Sequence, residues 1–167
     1  GEYTALVASG VIQLDVGVKL VQARGQFMQQ AVAPGEGAMY AIIGLDDEKI
    51  ESICTAVADE QKQVISPVNY NSAGQVVIAG TKHAADIAAA ALKEAGAKRA
   101  LPLAVSVPSH CALMKGASEK LGSLLSAIEF KSPHTPIVNN VDVAINDDVN
   151  DIKDALVRQL YLPVRWR

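Results

Sequence analysis

A mixed α/β fold is predicted, with an antiparallel β-α-β-β-α-β unit set between two mostly helical stretches. Three observations carry this. From about Gly37 to Val107, apolar runs of strand length alternate with stripes of helical period, in that order. Outside that unit the helical period dominates. With 50% apolar and 20% charged residues, 167 positions suffice for one domain, or for a small domain with part of another.

The elements follow in chain order. Glu2 to Ser9 reads as a helix closed by Gly10 as its C′ residue. A second helix runs from about Asp15 to Val32, with Leu20, Phe27 and Met28 on one face. Pro34-Gly-Glu-Gly37 breaks it. Met39 to Leu45 reads as a strand, and Asp46-Asp-Glu48 opens a helix striped by Ile50, Ile53, Cys54 and Val57. Gln63 to Tyr70 and Gln75 to Ala79 are strands joined by an Asn71-Ser-Ala-Gly74 turn. Thr81 starts a helix that Gly96 ends, and Lys98 to Val107 is the fourth strand. This order is the signature of a ferredoxin-like split βαβ unit, here residues 36–107. Pro108 then enforces a break, with Ser109 as N-cap and His110 in the first turn of a helix reaching about Ile128. Pro136 to Val141 reads as a short buried strand. A cap cluster at Asn146 to Asn150 precedes a last helix marked by Ile152, Leu156 and Leu160.

Bulk properties exclude several function classes. Lys+Arg 15 against Asp+Glu 18 leaves a net charge of -3, which points away from nucleic acid and anionic membrane as partners. Cys54 and Cys111 show no metal-ligand or CxxC spacing, so reduced thiols in a cytoplasm are expected. No apolar run is long enough for a bilayer, and no dinucleotide or phosphate-loop motif occurs. His83 and His134 read as surface residues, and Cys111 as a small buried hydrophobe. Acids at helix starts are explained by the helix dipole. Both ends read as cut from a larger protein, because the chain opens inside a helix without a cap and stops at Tyr161-Leu-Pro-Val-Arg-Trp-Arg167.

Two residues remain as candidates for chemistry. His110 is either a capping-region histidine without chemistry or a general base. The positive helix end would keep its imidazole neutral and able to take a proton. Arg24 lies on the apolar face, i+4 from Leu20, and needs an anion there: a core carboxylate or a ligand. Gln159 stands beside Leu160 near the end of the last helix, where backbone carbonyls lose their helical partners. Nothing in spacing supplies a nucleophile.

Several stretches together resemble one family. They are Gly1-Glu-Tyr-Thr-Ala-Leu6, Gln22-Ala-Arg-Gly-Gln-Phe-Met28, Asn69-Tyr-Asn-Ser-Ala-Gly-Gln-Val-Val-Ile-Ala-Gly80, Val105-Ser-Val-Pro-Ser-His-Cys-Ala-Leu-Met114, Val138-Asn-Asn-Val-Asp142 and Gln159-Leu-Tyr161. The family is the bacterial malonyl-CoA:acyl-carrier-protein transacylases of type II fatty acid synthesis. The resemblance implies an α/β-hydrolase-like acyltransferase core, residues 1–35 and 108–167, with the ferredoxin-like subdomain inserted. It implies a ping-pong transfer through a serine ester, with Gly1 as the last glycine of a Gly-His-Ser-Leu-Gly elbow and the serine two residues before it. It further implies His110 as the base, the main-chain carbonyl of Gln159 as its orienting acceptor, and Arg24 as the partner of the malonyl carboxylate. Leu162 stands where the family pattern leads us to expect a polar residue. The substrates would be malonyl-CoA and the phosphopantetheinylated acyl carrier protein, with no further cofactor and no metal. The full-length protein would be a cytoplasmic monomer, and this chain alone inactive. Lys98, Arg99, Lys115 and Lys120 either form a basic rim for the acidic carrier or are ordinary solvated side chains. The competing class is a binding or docking module in which His110 has no chemical role.

Overall fold

The computed structural model describes residues 1–105 and 107–167. Among the described residues six α-helices and five strands follow in the order α1 (Glu2–Ala8), α2 (Leu14–Ala31), β1 (Gly37–Ile43), α3 (Asp47–Gln61), β2 (Ile65–Ser72), β3 (Gln75–Thr81), α4 (Lys82–Glu94), β4 (Arg99–Pro102), α5 (Lys115–Ser126), α6 (Val149–Arg158) and β5 (Val164–Arg165). A single turn of 3-10 helix, Ala112–Met114, leads into α5. The sheet order is β4-β1-β3-β2-β5; the first four strands pair antiparallel and β5 runs parallel to β2.

Strand alternation sorts the sheet's two faces. Ile42, Val76 and Ile78 turn to one face and pack on Ile50, Cys54 and Val57 of α3 and on Ala84, Ala88 and Leu92 of α4. Met39, Val77 and Ala79 turn to the other and meet Cys111 and Leu113. Both helices therefore cover one face, while the segment that carries His110 lies against the opposite one. A separate helical core unites Leu6, Leu20, Met28, Met114, Leu121, Leu125, Leu156 and Leu160 from α1, α2, α5 and α6. Fully burying each leucine contributes roughly 1.5–3 kcal/mol. Leu113 packs against both clusters, so the His110 segment is held between the sheet and the helical layer.

Helix ends follow the local chemistry. Gly10 (φ 74) closes α1 in a Schellman motif: its N–H donates to Val7 O and that of Val11 donates to Leu6 O. Gly96 ends α4 in the same way, through Lys93 O and Leu92 O. The Thr81 hydroxyl accepts from Ala84 N at the start of α4, and the Asp148 carboxylate accepts from Asn150 N and Asp151 N at the start of α6.

Three sequence expectations need correction, and one element was not expected. The fourth strand ends at Pro102, not Val107. After one further bond to β1, Leu103 N–H to Met39 O, the chain turns back on itself with Val105 N–H donating to Leu103 O and leaves the sheet; Ser106, within the expected span, lies outside the described residues. No helix starts at Ser109, because His110 takes a left-handed backbone (φ 62) and α5 begins only at Lys115. Pro136 to Val141 is not a strand but a loop with one isolated bridge, Val138 to Ile145. Asn139 takes over the local pairing there: its side chain donates to Ala144 O and accepts from Asp142 N. Finally β5, two residues long, has too short a pattern to announce itself.

Candidate functional site

Five segments distant in sequence converge at the end of α6. His110 is anchored twice on it: its main-chain N–H donates to Leu160 O at 3.0 Å and its Nδ1 lies 2.6 Å from Gln159 O. Both carbonyls sit at the C-terminal end of α6, where helical partners run out. The left-handed backbone of His110, which costs on the order of 1–3 kcal/mol, is thereby held by two hydrogen bonds to consecutive carbonyls. A carbonyl can only accept, so Nδ1 carries the proton of the neutral ring and Nε2 is left with a free lone pair.

The protonation state follows from surroundings. Burial holds the His110 pKa below its ordinary 6.5; the hydrogen bond to Gln159 O opposes this, and the charge of Arg24 adds to the lowering. The ring is neutral at pH 7. The helix-dipole explanation expected from sequence does not apply, since His110 is not in the first turn of a helix. Cys111, its neighbour, is buried, donates its thiol to Pro108 O at 3.2 Å and has its pKa pushed up to about 11 by burial. It is a packing residue, as its position in the sequence suggested.

Arg24 projects from α2 toward the same place. Its Nη2 donates to Gln159 Oε1 at 3.4 Å, and its guanidinium lies 5.9 Å from the centre of the Tyr3 ring. Among the described residues its buried Nε meets no hydrogen-bond partner, nor does the buried Tyr3 hydroxyl, whose pKa burial raises to about 12. Among the described residues no carboxylate forms an ion pair with Arg24. Of the two anions its position called for, a core acid is present only at one remove: Glu2 feels the Arg24 charge but is hydrogen-bonded to the other end of the Gln159 amide.

Gln159 is buried and joins the pieces. Its main chain holds His110, its side-chain oxygen receives Arg24, and its Nε2 donates to Glu2 Oε2 at 2.8 Å and Asn140 Oδ1 at 3.0 Å. Asn140 N–H also donates to Glu2 Oε2, at 3.3 Å. The Asn140 segment is tied down in turn by Arg165 N–H donating to Asn140 O, and by a two-pronged Arg158 to Asp142 pair at 2.6 Å.

Among the described residues no group of three or more His, Cys, Asp or Glu could hold a metal ion, and no helix is long and apolar enough to cross a membrane. What the arrangement offers is acid-base chemistry beside a cation: a neutral imidazole with one nitrogen fixed and the other free, next to a half-buried arginine with unused donors.

A family model described as the acyl transferase domain matches residues 1–167. The chain belongs to the acyl transferase domain family. A malonyl CoA-acyl carrier protein transacylase of Escherichia coli (strain K12) is 60% identical over 166 residues, 99% of this acyl transferase chain and 53% of the relative. Two solved structures have a TM-score of 0.97 and 61% identity. One is a malonyl-transacylase in complex with a type II PKS acyl-carrier protein, and the other an acyl carrier protein S-malonyltransferase from Vibrio cholerae O1 biovar eltor. They are covered over 53% and 54% of their lengths, by 99% of this chain. The acyl transferase chain thus spans about half the length of the curated relatives it matches.

The three residues singled out from sequence, Arg24, His110 and Gln159, are brought together. Sequence reasoning missed Glu2, Tyr3 and Asn140. Glu2 lies in the first turn of α1, where an acid is adequately explained by the dipole. The usable signal was the Val138 to Asp142 stretch, whose paired asparagines mark a loop wired by side chains rather than a strand.

Proposed function

We propose that this acyl transferase domain, as part of a longer protein, transfers a malonyl group from malonyl-CoA to the phosphopantetheine thiol of acyl carrier protein through a serine ester. The observation that carries the reading is the juxtaposition at Gln159 of a neutral, oriented imidazole and an arginine that forms no ion pair among the described residues. In the first half-reaction the serine hydroxyl attacks the thioester carbonyl, and His110 Nε2 takes its proton. The tetrahedral intermediate then expels the CoA sulfur, which receives that proton. In the second half-reaction the carrier thiol gives its proton to His110 and attacks the serine ester, and the serine oxygen leaves and is reprotonated. The Gln159 carbonyl, a neutral dipole, orients the ring without a carboxylate. Arg24 pairs the malonyl carboxylate, a contact that neutral acyl groups cannot make. The carrier protein as partner is supported by the relatives' names and by the transacylase–carrier complex among the structural neighbours.

On this reading the sheet of β4, β1, β3 and β2 with α3 and α4 is a ferredoxin-like subdomain, residues 36–107, inserted in an α/β-hydrolase-like core. Leu14, Val18 and Val21, spaced along one exposed face of α2, belong to the surface on which the rest of that core would pack. The serine is supplied upstream of Gly1, so the chain by itself forms no acyl-enzyme.

The test compares the chain alone with the chain continued to the length of its relatives, each incubated with radiolabelled malonyl-CoA. The longer protein is expected to take up one label at a serine preceding Gly1 and to pass it to holo acyl carrier protein. The chain alone should take up none. Label on any residue of the chain, or a longer protein that acquires none, would overturn the proposal.

A further inference from the structure

The side-chain amide of Gln159 has only one orientation compatible with its surroundings. Its two N–H groups face two acceptors, Glu2 Oε2 and Asn140 Oδ1, and its oxygen faces a guanidinium, which has donors only. Turning the amide over would set N–H against N–H on one side and oxygen against oxygen on the other. Because Gln159 is 5% exposed, water cannot compensate such a mismatch. Glu2 is itself pinned by the main-chain N–H of Asn140. Removing Glu2 would thus leave one Gln159 N–H and the Asn140 main-chain N–H unsatisfied, with Asn140 Oδ1 as the amide's one remaining acceptor among the described residues, while the main-chain carbonyl of Gln159, which holds His110, would be unaffected.

We propose that Glu2 is a positioning residue for Arg24, acting through the Gln159 amide to hold the guanidinium where it meets the acyl carboxylate. The inference rests on the reading of Arg24 as the carboxylate partner. It divides the work of Gln159 in two: the main chain serves the base, and the side chain, set by Glu2 and Asn140, serves substrate choice.

The experiment measures kcat/KM for malonyl-CoA and acetyl-CoA in the full-length protein carrying Glu2→Ala, Glu2→Gln or Glu2→Asp, with Arg24→Ala as reference. Glu2→Ala is expected to lower malonyl transfer about 10- to 100-fold, chiefly through KM, and to leave acetyl transfer within about twofold. Glu2→Gln keeps an oxygen for the Gln159 N–H and should recover most of the malonyl rate. Glu2→Asp withdraws the oxygen by one methylene while keeping the charge, and should resemble Glu2→Ala, which keeps the test open if the alanine variant fails to fold. Equal losses for both substrates, or Glu2→Gln no better than Glu2→Ala, would overturn the proposal. If Arg24→Ala itself does not separate the substrates, the carboxylate reading fails. If it does and the Glu2 variants do not, the positioning role alone fails.

Discussion

Replacing Arg24 by alanine tests the carboxylate partner directly. The side chain is half-buried against the Tyr3 ring; among the described residues its Nη2 reaches the neutral acceptor Gln159 Oε1 at 3.4 Å and its buried Nε reaches none. A malonyl carboxylate arriving there would find donors not committed elsewhere. Truncating one partner of a buried, hydrogen-bonded charge pair costs roughly 2–5 kcal/mol. At about 1.36 kcal/mol per tenfold, malonyl transfer by the full-length protein should fall by about 1.5 to 3.7 orders of magnitude. Acetyl transfer should be spared or improved, since acetyl carries no charge and the vacated space is bounded by the Tyr3 ring. Arg24→Lys should restore only part of the malonyl rate, because an ammonium is a point charge without the planar two-pronged fork. The assay is kcat/KM for both acyl-CoA substrates, with a melting curve on each variant. Equal losses for malonyl and acetyl, accompanied by earlier melting, would refute the reasoning and make Arg24 a residue of the core.

Two further outcomes concern the framework and the base. Gly80 in β3 pairs with Ile65 in β2, and a Cβ there would lie 2.0 Å from Val64 O and 2.7 Å from Ile65 Cα. Gly80→Val should therefore destabilise the full-length protein by at least the roughly 1–3 kcal/mol of overpacking, and an unchanged denaturation midpoint would refute that contact. His110 should titrate below its ordinary 6.5, as followed by NMR of the labelled ring. Below that pH the unfolded chain takes up a proton that the folded imidazole refuses, so stability falls from about 6.5 down through the lowered value and levels off beneath it. His110→Gln should lose that part of the slope.

Legibility in the sequence followed the range of the forces involved. The strands β1 to β3 and the helices α3 and α4 were readable because period and turn chemistry are local, and Gly10 and Gly96 end helices where expected. Arg24 was readable because a charge in an apolar stripe is a local anomaly. The backbone of His110 was not: a non-glycine residue at φ 62 is stabilised only by carbonyls some fifty residues away, at Gln159 and Leu160. Glu2 was hidden for a different reason. Its local explanation sufficed, and its bond to Gln159 spans 157 positions, beyond the reach of any periodicity.

The neutral imidazole follows from two different causes in the sequence and in the structure, and the two can be separated. Sequence reasoning derived it from a helix N-terminus; the structure supplies it through burial first and the Arg24 charge besides. The distinction has a measurable consequence. Arg24→Met keeps most of the side chain's bulk and removes the charge, so desolvation of His110 is largely kept while one lowering influence disappears. The His110 pKa should rise toward 6.5 without reaching it, and the acid limb of kcat/KM for acetyl-CoA, a substrate that does not need the arginine, should move to higher pH by the same amount. A dipole origin would leave both unmoved, since no helix terminus changes. If the ring titrates identically in Arg24→Met and the unaltered protein, the electrostatic link between cation and base is absent, and burial alone sets the protonation state.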